Sequence, residues 1–342
     1  MVTEPGRTGR RAAVVPRWCR ELAPACFAPV MATGIVSRAL ARPDTRGVSQ
    51  LLFGVACALY CVLLTATVTK YTHCPDRLRS ELRDPARVFG HFTFVAACGV
   101  LAARLTQGPA RCAGWMLLAL AGALWPVLAV CVLRILRTSR WEAAEQADGT
   151  WFLLTVGLQS LVVALTGLHP GGAVTLVGLP LWCTGVLLYT ATFTAVVRRL
   201  LRNPPGPARF TPVYWVAMGA AAFSILAGAR LLAPADVLPG PVRALLGGAV
   251  VALWGWATAL IPVLLAAGAW RHLRHRVPLA YEPALWCVVF PAGMYATATA
   301  QLAGVRHIPA LAADGGPLAW AATAAWLAVQ IRCVTARVRR GG

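Results

Sequence analysis

Acidic side chains are scarce in this sequence. Twelve Asp and Glu stand against 32 Lys and Arg in 342 residues. They are Glu4, Glu21, Asp44, Asp76, Glu81, Asp84, Glu142, Glu145, Asp148, Asp236, Glu282 and Asp314, and each lies in a tail, a loop or the end of an apolar run. A carboxylate at bilayer mid-depth costs roughly 2.5–3.5 kcal/mol on insertion scales and usually marks a proton relay or a cation site. Its absence there argues against a proton pump, a cation channel and a carboxylate-coupled symporter. Lysine is rarer still, one against 31 arginines, which reads as coding bias and not as chemistry.

Other absences narrow the class further. The sequence has no C-x-x-C pair, no zinc-ligand spacing, no paired aspartates and no His–Glu cluster, so no metal, no cofactor and no membrane-embedded enzyme is expected. The eleven cysteines stand mostly singly, and Cys57 with Cys61 at i, i+4 read as packing residues. His272 and His275 lie among arginines, as at a solvated helix end. No connection is rich enough in Gly, Pro or Ser to divide domains, and no ten-residue alternation of a membrane barrel recurs.

What is present is apolar length. Hydrophobic residues make up 58% and charged residues 13%, which is not a soluble balance. Ten runs are long enough to cross about 30 Å of hydrocarbon. They cover 25–41, 48–70, 87–106, 112–137, 150–168, 174–199, 211–233, 242–270, 282–304 and 317–336. Backbone groups in lipid must be satisfied within the segment, so each run is expected to be a helix. The expected class is an all-α integral membrane protein: a basic tail over 1–24, a ten-helix domain over 25–336 and a short tail over 337–342.

The net charge of +20 is sorted by side. With ten spans, 24 of the 32 basic residues fall on the side of both termini and 8 on the other. That is the positive-inside pattern, so both termini are expected in the cytoplasm and the excess charge faces lipid headgroups, not nucleic acid. The stretch 71–87 reads as a short solvated cytoplasmic elbow. The first run, preceded by basic residues and ending in Ala39-Leu40-Ala41, also imitates a cleavable signal peptide.

The runs alternate in character. Even runs are long and apolar; odd runs carry small and hydroxyl residues. Spacings of three and four place Phe27, Met31, Gly34 and Arg38 on one face of run 1, and Arg87, His91, Phe94, Cys98 and Ala102 on one face of run 3. Thr155, Gln159 and Thr166 form a stripe in run 5, and Phe290, Gly293, Thr297 and Gln301 one in run 9. An inner ring of five odd helices shielded by five even ones fits this pattern; the plainer reading is interhelical packing.

Three stretches carry a family resemblance. FAPVMATGIVS at 27–37, GTWFLLTVGLQSLVV at 149–163 and WCVVFPAGMYATATAQLA at 286–303 resemble the first, fifth and ninth spans of the tellurite-resistance and dicarboxylate transporter family. That family includes the slow anion channels of plant guard cells. The resemblance runs through residues 27–37, so it implies a retained first helix. It further implies five helical hairpins around a central pore lined by odd helices, in a homotrimer with one pore per subunit. It implies that Phe290 closes the pore. Prolines matching the family's kinked inner helices stand at Pro29 and Pro291, while runs 3 and 5 have none.

The expected activity is therefore passage of small inorganic or organic anions across a plasma membrane. Arg38, Arg104, Arg230 and Arg306 end runs 1, 3, 7 and 9 and would form an outer cationic mouth. Snorkelling to lipid phosphates is the alternative. Arg87 and His91 would form a second vestibule at the inner end, and Gly293 would give Phe290 room to move. A carrier for C4-dicarboxylates, sulfite or tellurite is the competing mechanism.

Overall fold

The computed structural model describes residues 16–106, 109–138, 144–234 and 237–341. Most of the leading tail, with Glu4, and the carboxylates Glu142 and Asp236 lie outside the described residues. No strand occurs among those described.

Each apolar run contains one long helix. In chain order these are α1 (Ala28–Ala39), α2 (Arg46–His73), α3 (Phe92–Ala102), α4 (Ala110–Thr138), α5 (Leu153–Leu168), α6 (Gly172–Arg202), α7 (Val216–Leu232), α8 (Gly240–Ala269), α9 (Trp286–Arg306) and α10 (Pro309–Gly341). Among the described residues, seven helical segments are long and apolar enough to cross a membrane, those of α2, α4, α5, α6, α7, α8 and α10. An eighth is reached when the bent pair Pro75–Arg83 and Val88–Ala102, angled at 114°, is taken as one span. The shortfall from ten has a physical origin. Helix α1 has 12 residues, and α9 carries Thr297, Thr299 and Gln301 in its second half. Such segments are covered by protein instead of meeting lipid with their own apolar surface.

The packing separates two populations. Of the stretches with crossing length, 83% of α5 and 89% of α7 are buried, against 17–33% in the even helices. Each odd helix packs on the even helix that follows it, and the odd helices are also neighbours of one another: α1 of α3, α3 of α5, α5 of α7, α7 of α9, and α9 of α1. The even helices reach forward to the next odd helix with one aromatic side chain each. Trp125 of α4 donates to the Leu154 carbonyl of α5 (3.1 Å), and Trp182 of α6 to the Ser224 carbonyl of α7 (2.7 Å). Trp254 of α8 donates to Thr299 of α9 (3.1 Å), and Trp326 of α10 to Thr33 of α1 (2.9 Å). Tyr60 of α2 meets Cys98 of α3 at 3.2 Å. Buried indoles require a partner, and this one fixes the rotation of each outer helix against the ring.

Every odd helix is preceded by a 3-10 turn, at Pro24–Phe27, Val88–His91, Gly149–Phe152, Pro212–Trp215 and Pro283–Leu285. These turns touch in sequence and form one end of the bundle, here the lower face; the odd helices end at the upper face. At Gly149 a Cβ would stand 2.0 Å from the Val213 carbonyl oxygen, so backbone meets backbone between the turns of α5 and α7. The Asp148 carboxylate caps that turn by accepting from the Thr150 amide at 2.8 Å.

The stretch 71–87 is exposed over most of its length, as a solvated elbow would be, but it is not a plain loop. It contains a helix, Pro75–Arg83, whose Glu81 is buried against α2. Lys70, also buried, donates to Glu81 Oε1 at 2.8 Å and to the Leu22 carbonyl at 2.7 Å, and Tyr71 donates to Glu81 Oε2 at 2.9 Å. Sequence charge counting sees a polar loop, whereas the ion pair draws the loop onto the bundle.

Candidate functional site

The upper face gathers three of the four arginines expected there. Arg38 and Arg230 line a cavity of about 530 Å³ together with Thr106, Thr166 and Gln301. Below it lies a void of about 10 Å³, at the lower limit for holding one water. Its apolar wall takes Ile35 from α1, Val100 from α3, Val163 from α5, Phe223 and Leu226 from α7, and Met294 from α9. Arg38, Arg104 and Arg230 stand at its lip.

Two of the three arginines are held from behind by neutral groups. Arg230 donates to the Val163 carbonyl at 2.6 Å. Arg104 donates to Ser49 Oγ at 3.0 Å and lies over the Phe53 ring at 5.2 Å. Among the described residues no carboxylate is ion-paired with any of the three. Gly171 and Thr175 bring the amino end of the 31-residue helix α6 to the same cavity, adding its partial positive charge. Arg306 takes another course. It is exposed and its guanidinium occupies the space a side chain at Gly247 of α8 would need, so it does not join the cavity.

Phe290 lies one turn before Met294, on the lower side of the void. It is 3% exposed, and its ring centre is 5.9 Å from that of Phe223. The glycine it packs against is on α7, not on its own helix. A Cβ at Gly219 would fall 3.0 Å from Phe290 Cε1 and 2.9 Å from Pro291 Cγ. Gly293 instead faces α1, where a Cβ would meet Ile35 and Val36. Gly219, four residues before Phe223, is thus the glycine that Phe290 packs against, a contact that sequence reasoning missed.

The remaining expected residues divide by neighbour. Met31 is buried in α1, and Thr297 of α9 donates back to the Gly293 carbonyl at 2.9 Å. Gly34 faces Val100 of α3. Phe27 and Phe94 form an aromatic cluster with Tyr60 of α2, at centroid distances of 5.0–5.9 Å. The stripe of α3 that carries Phe94 and Cys98 is thus turned toward α2. Gln159 donates to the Trp182 carbonyl of α6 at 3.2 Å and fills the gap left by Gly185. Its Oε1 and the Thr155 hydroxyl, one turn away, are buried without a protein partner.

At the lower face a second cavity, about 470 Å³, is lined by Arg20, Arg77 and Arg87 and also by Glu21 and Glu81. Arg87 pairs with Asp84 at 3.4 Å and Glu81 at 3.7 Å. His91 sits 6.1 Å from the Tyr71 ring, and its Nε2 is buried without a partner. This end thus carries acids among its arginines, which the expected vestibule of Arg87 and His91 did not include.

Over residues 21–334 the chain matches the family model described as voltage-dependent anion channel. Two curated relatives from two strains of Mycobacterium tuberculosis, each described as an uncharacterized membrane protein, are 46% identical over 142 residues. That alignment covers 41% of this chain and 72% of each relative.

Proposed function

The chain belongs to the voltage-dependent anion channel family, and from that premise we propose that it is a passive channel or uniporter for small anions. The odd helices would line the pore, with the even helices as five hairpin partners around them. The subunits would assemble as a homotrimer in the plasma membrane, with both termini in the cytoplasm. The observation that carries the reading is the upper mouth: three converging arginines, no paired carboxylate among the described residues, and a narrow apolar throat directly beneath.

Each part has a separate task. Arg38, Arg104 and Arg230 raise the local concentration of anions and repel cations, and a cluster without a fixed counter-ion leaves that charge available to a passing ion. The throat of Ile35, Val100, Val163, Phe223, Leu226 and Met294 offers no side-chain hydrogen-bond partner, so a dry throat stops ions. Phe290 and Phe223 occupy its lower part, and a swing of Phe290 opens it. Gly219 lets that ring pack closely against α7 in the closed position.

The test is the reversal potential across a planar bilayer under an asymmetric salt gradient, comparing wild type with Phe290→Ala. The expected result is a larger current in the variant, reversing near the anion equilibrium potential. The cost of removing a buried phenyl, about 3–5 kcal/mol, requires that current be normalised to folded protein. Electrical silence in both forms, with labelled malate or sulfite still exchanging across liposomes, would establish a carrier.

A further inference from the structure

A cleft outside the ring of odd helices is built differently from either mouth. It measures about 280 Å³ and lies at the lower face, where the start of α7, the end of α8, the start of α9 and α10 meet. Its wall is apolar, with Trp215, Leu264, Val289 and Val329 among its side chains, while Arg271 and Arg332 are its charged members and His272 stands beside them. Helix α8 ends beside it in a π-helical turn, Trp270–Arg274, closed by the His275 amide on the Trp270 carbonyl at 3.2 Å. Such widened turns recur at functional sites.

The basic groups are positioned and only partly used. Arg271 is 7% exposed; it donates to Glu282 Oε1 at 3.0 Å, yet its Nε–H is buried without a partner. His272 Nδ1 donates to the Val277 carbonyl at 2.8 Å, which fixes the ring. Arg332 donates to the Leu279 carbonyl and so spans from α10 to the connection before α9. A buried donor left unpaired costs roughly 1–3 kcal/mol, more when charged, so an acceptor is missing from this site. Exposed apolar residues at this level, Leu265, Leu273, Leu279 and Ile331, continue outward from the cleft.

We propose that this cleft is a binding site for an anionic phospholipid. One acyl chain lies along the apolar wall, and the phosphate is taken by Arg332, His272 and Arg271. A chain of apolar carbons joined to one negative charge is the chemistry that matches a greasy wall with a cationic rim. A free phosphate satisfies only the rim, and a zwitterionic lipid brings its own positive group to it. Because Val289 is in the wall and Phe290 follows it, an occupant braces the first turn of α9.

The experiment is native mass spectrometry of the purified full chain after exchange into mixed micelles of phosphatidylglycerol and phosphatidylcholine. Phosphatidylglycerol is expected to be retained over phosphatidylcholine by at least about fivefold. Gly268→Leu fills the cleft from a position where a Cβ has nothing within 4 Å, and Arg332→Gln removes a rim charge. Each is expected to abolish the preference while the melting temperature in lipid-free detergent stays unchanged. Equal retention of the two lipids, or an unchanged preference in both variants, overturns the proposal. So does displacement of the lipid by millimolar inorganic phosphate, which would make the rim a simple anion site. A change in subunit number on Gly268→Leu without lipid loss would assign the face to a second copy and also overturn it.

Discussion

The two ends of the ring of odd helices are both basic, yet they are wired in opposite ways. At the lower face the buried Lys70 ammonium has a carboxylate, Glu81 at 2.8 Å. At the upper face Arg38, Arg104 and Arg230 share a lip with backbone carbonyls, a serine and a phenyl ring and, among the described residues, pair with no acid. A buried pair cancels its own field and acts as a fastening. A like-charged cluster held by neutral groups keeps its field and has a place for a mobile anion. Net charge alone does not separate these cases; pairing does.

The largest expected effect comes from breaking the lower pairing. Lys70 is 1% exposed and Glu81 3%, so Glu81→Gln strands a buried ammonium, a loss of about 3–5 kcal/mol. Thermal unfolding in detergent should show it as a clear drop in melting temperature. Adding Lys70→Met should recover most of the loss, because replacing both partners of a buried pair by apolar groups is often near neutral. If the single variant melts like wild type, the lower face is not fastened in this way.

At the upper face the same kind of change should spare the fold and remove the function. Arg38→Gln with Arg104→Gln is expected to lower anion conductance by about tenfold at low salt. The deficit should shrink as ionic strength rises and the Debye length falls below about 10 Å. Unfolding should change little, since no partner is left buried and unpaired. An unaltered conductance at low salt would make these arginines lipid anchors.

A smaller effect is expected between the two ends. Gly219→Ala places a methyl 3.0 Å from Phe290 Cε1 and 2.9 Å from Pro291 Cγ, so it crowds the ring in the position it now occupies. Conductance should rise several-fold, and adding Phe290→Ala should leave no further gain from Gly219→Ala. A single variant that conducts like wild type would show that the present position of the ring does not close the throat.

Sequence patterning carried the helices further than it carried the site. Hydropathy marked ten runs because apolar length is a one-dimensional property, and the contrast between greasy even runs and small-residue odd runs corresponds to the burial difference between them. Rotation of each helix was less legible. Spacings of three and four show that Phe94 and Cys98 share a face but not that this face meets Tyr60; likewise Gln159 is turned to Trp182 and Gly293 to Ile35. That information lies in the partner helices. The forward-reaching series of Tyr60, Trp125, Trp182, Trp254 and Trp326, one per even helix, was present in the sequence as a signal for it. Lys70, the single lysine, was a second one, since its pairing with Glu81 fastens the helix within an apparent loop to the bundle.

The smallest effect sharpens the contrast most. Arg306 ends α9 as Arg38 ends α1 and Arg230 ends α7, so by sequence the three are equivalent. In space Arg306 lies exposed against Gly247 of α8, outside the cavity that Arg38 and Arg230 line. An exposed charge is screened within about 10 Å at 0.1 M salt, so Arg306→Gln should change conductance by less than about twofold. Its effect should also be independent of whether Arg38 is present. A tenfold loss equal to that of the Arg38 and Arg104 pair would mean that the mouth reads charge around its whole rim. A negligible loss would mean that the anion meets only the arginines that converge over the throat, and that convergence, not charge at a helix end, makes the site.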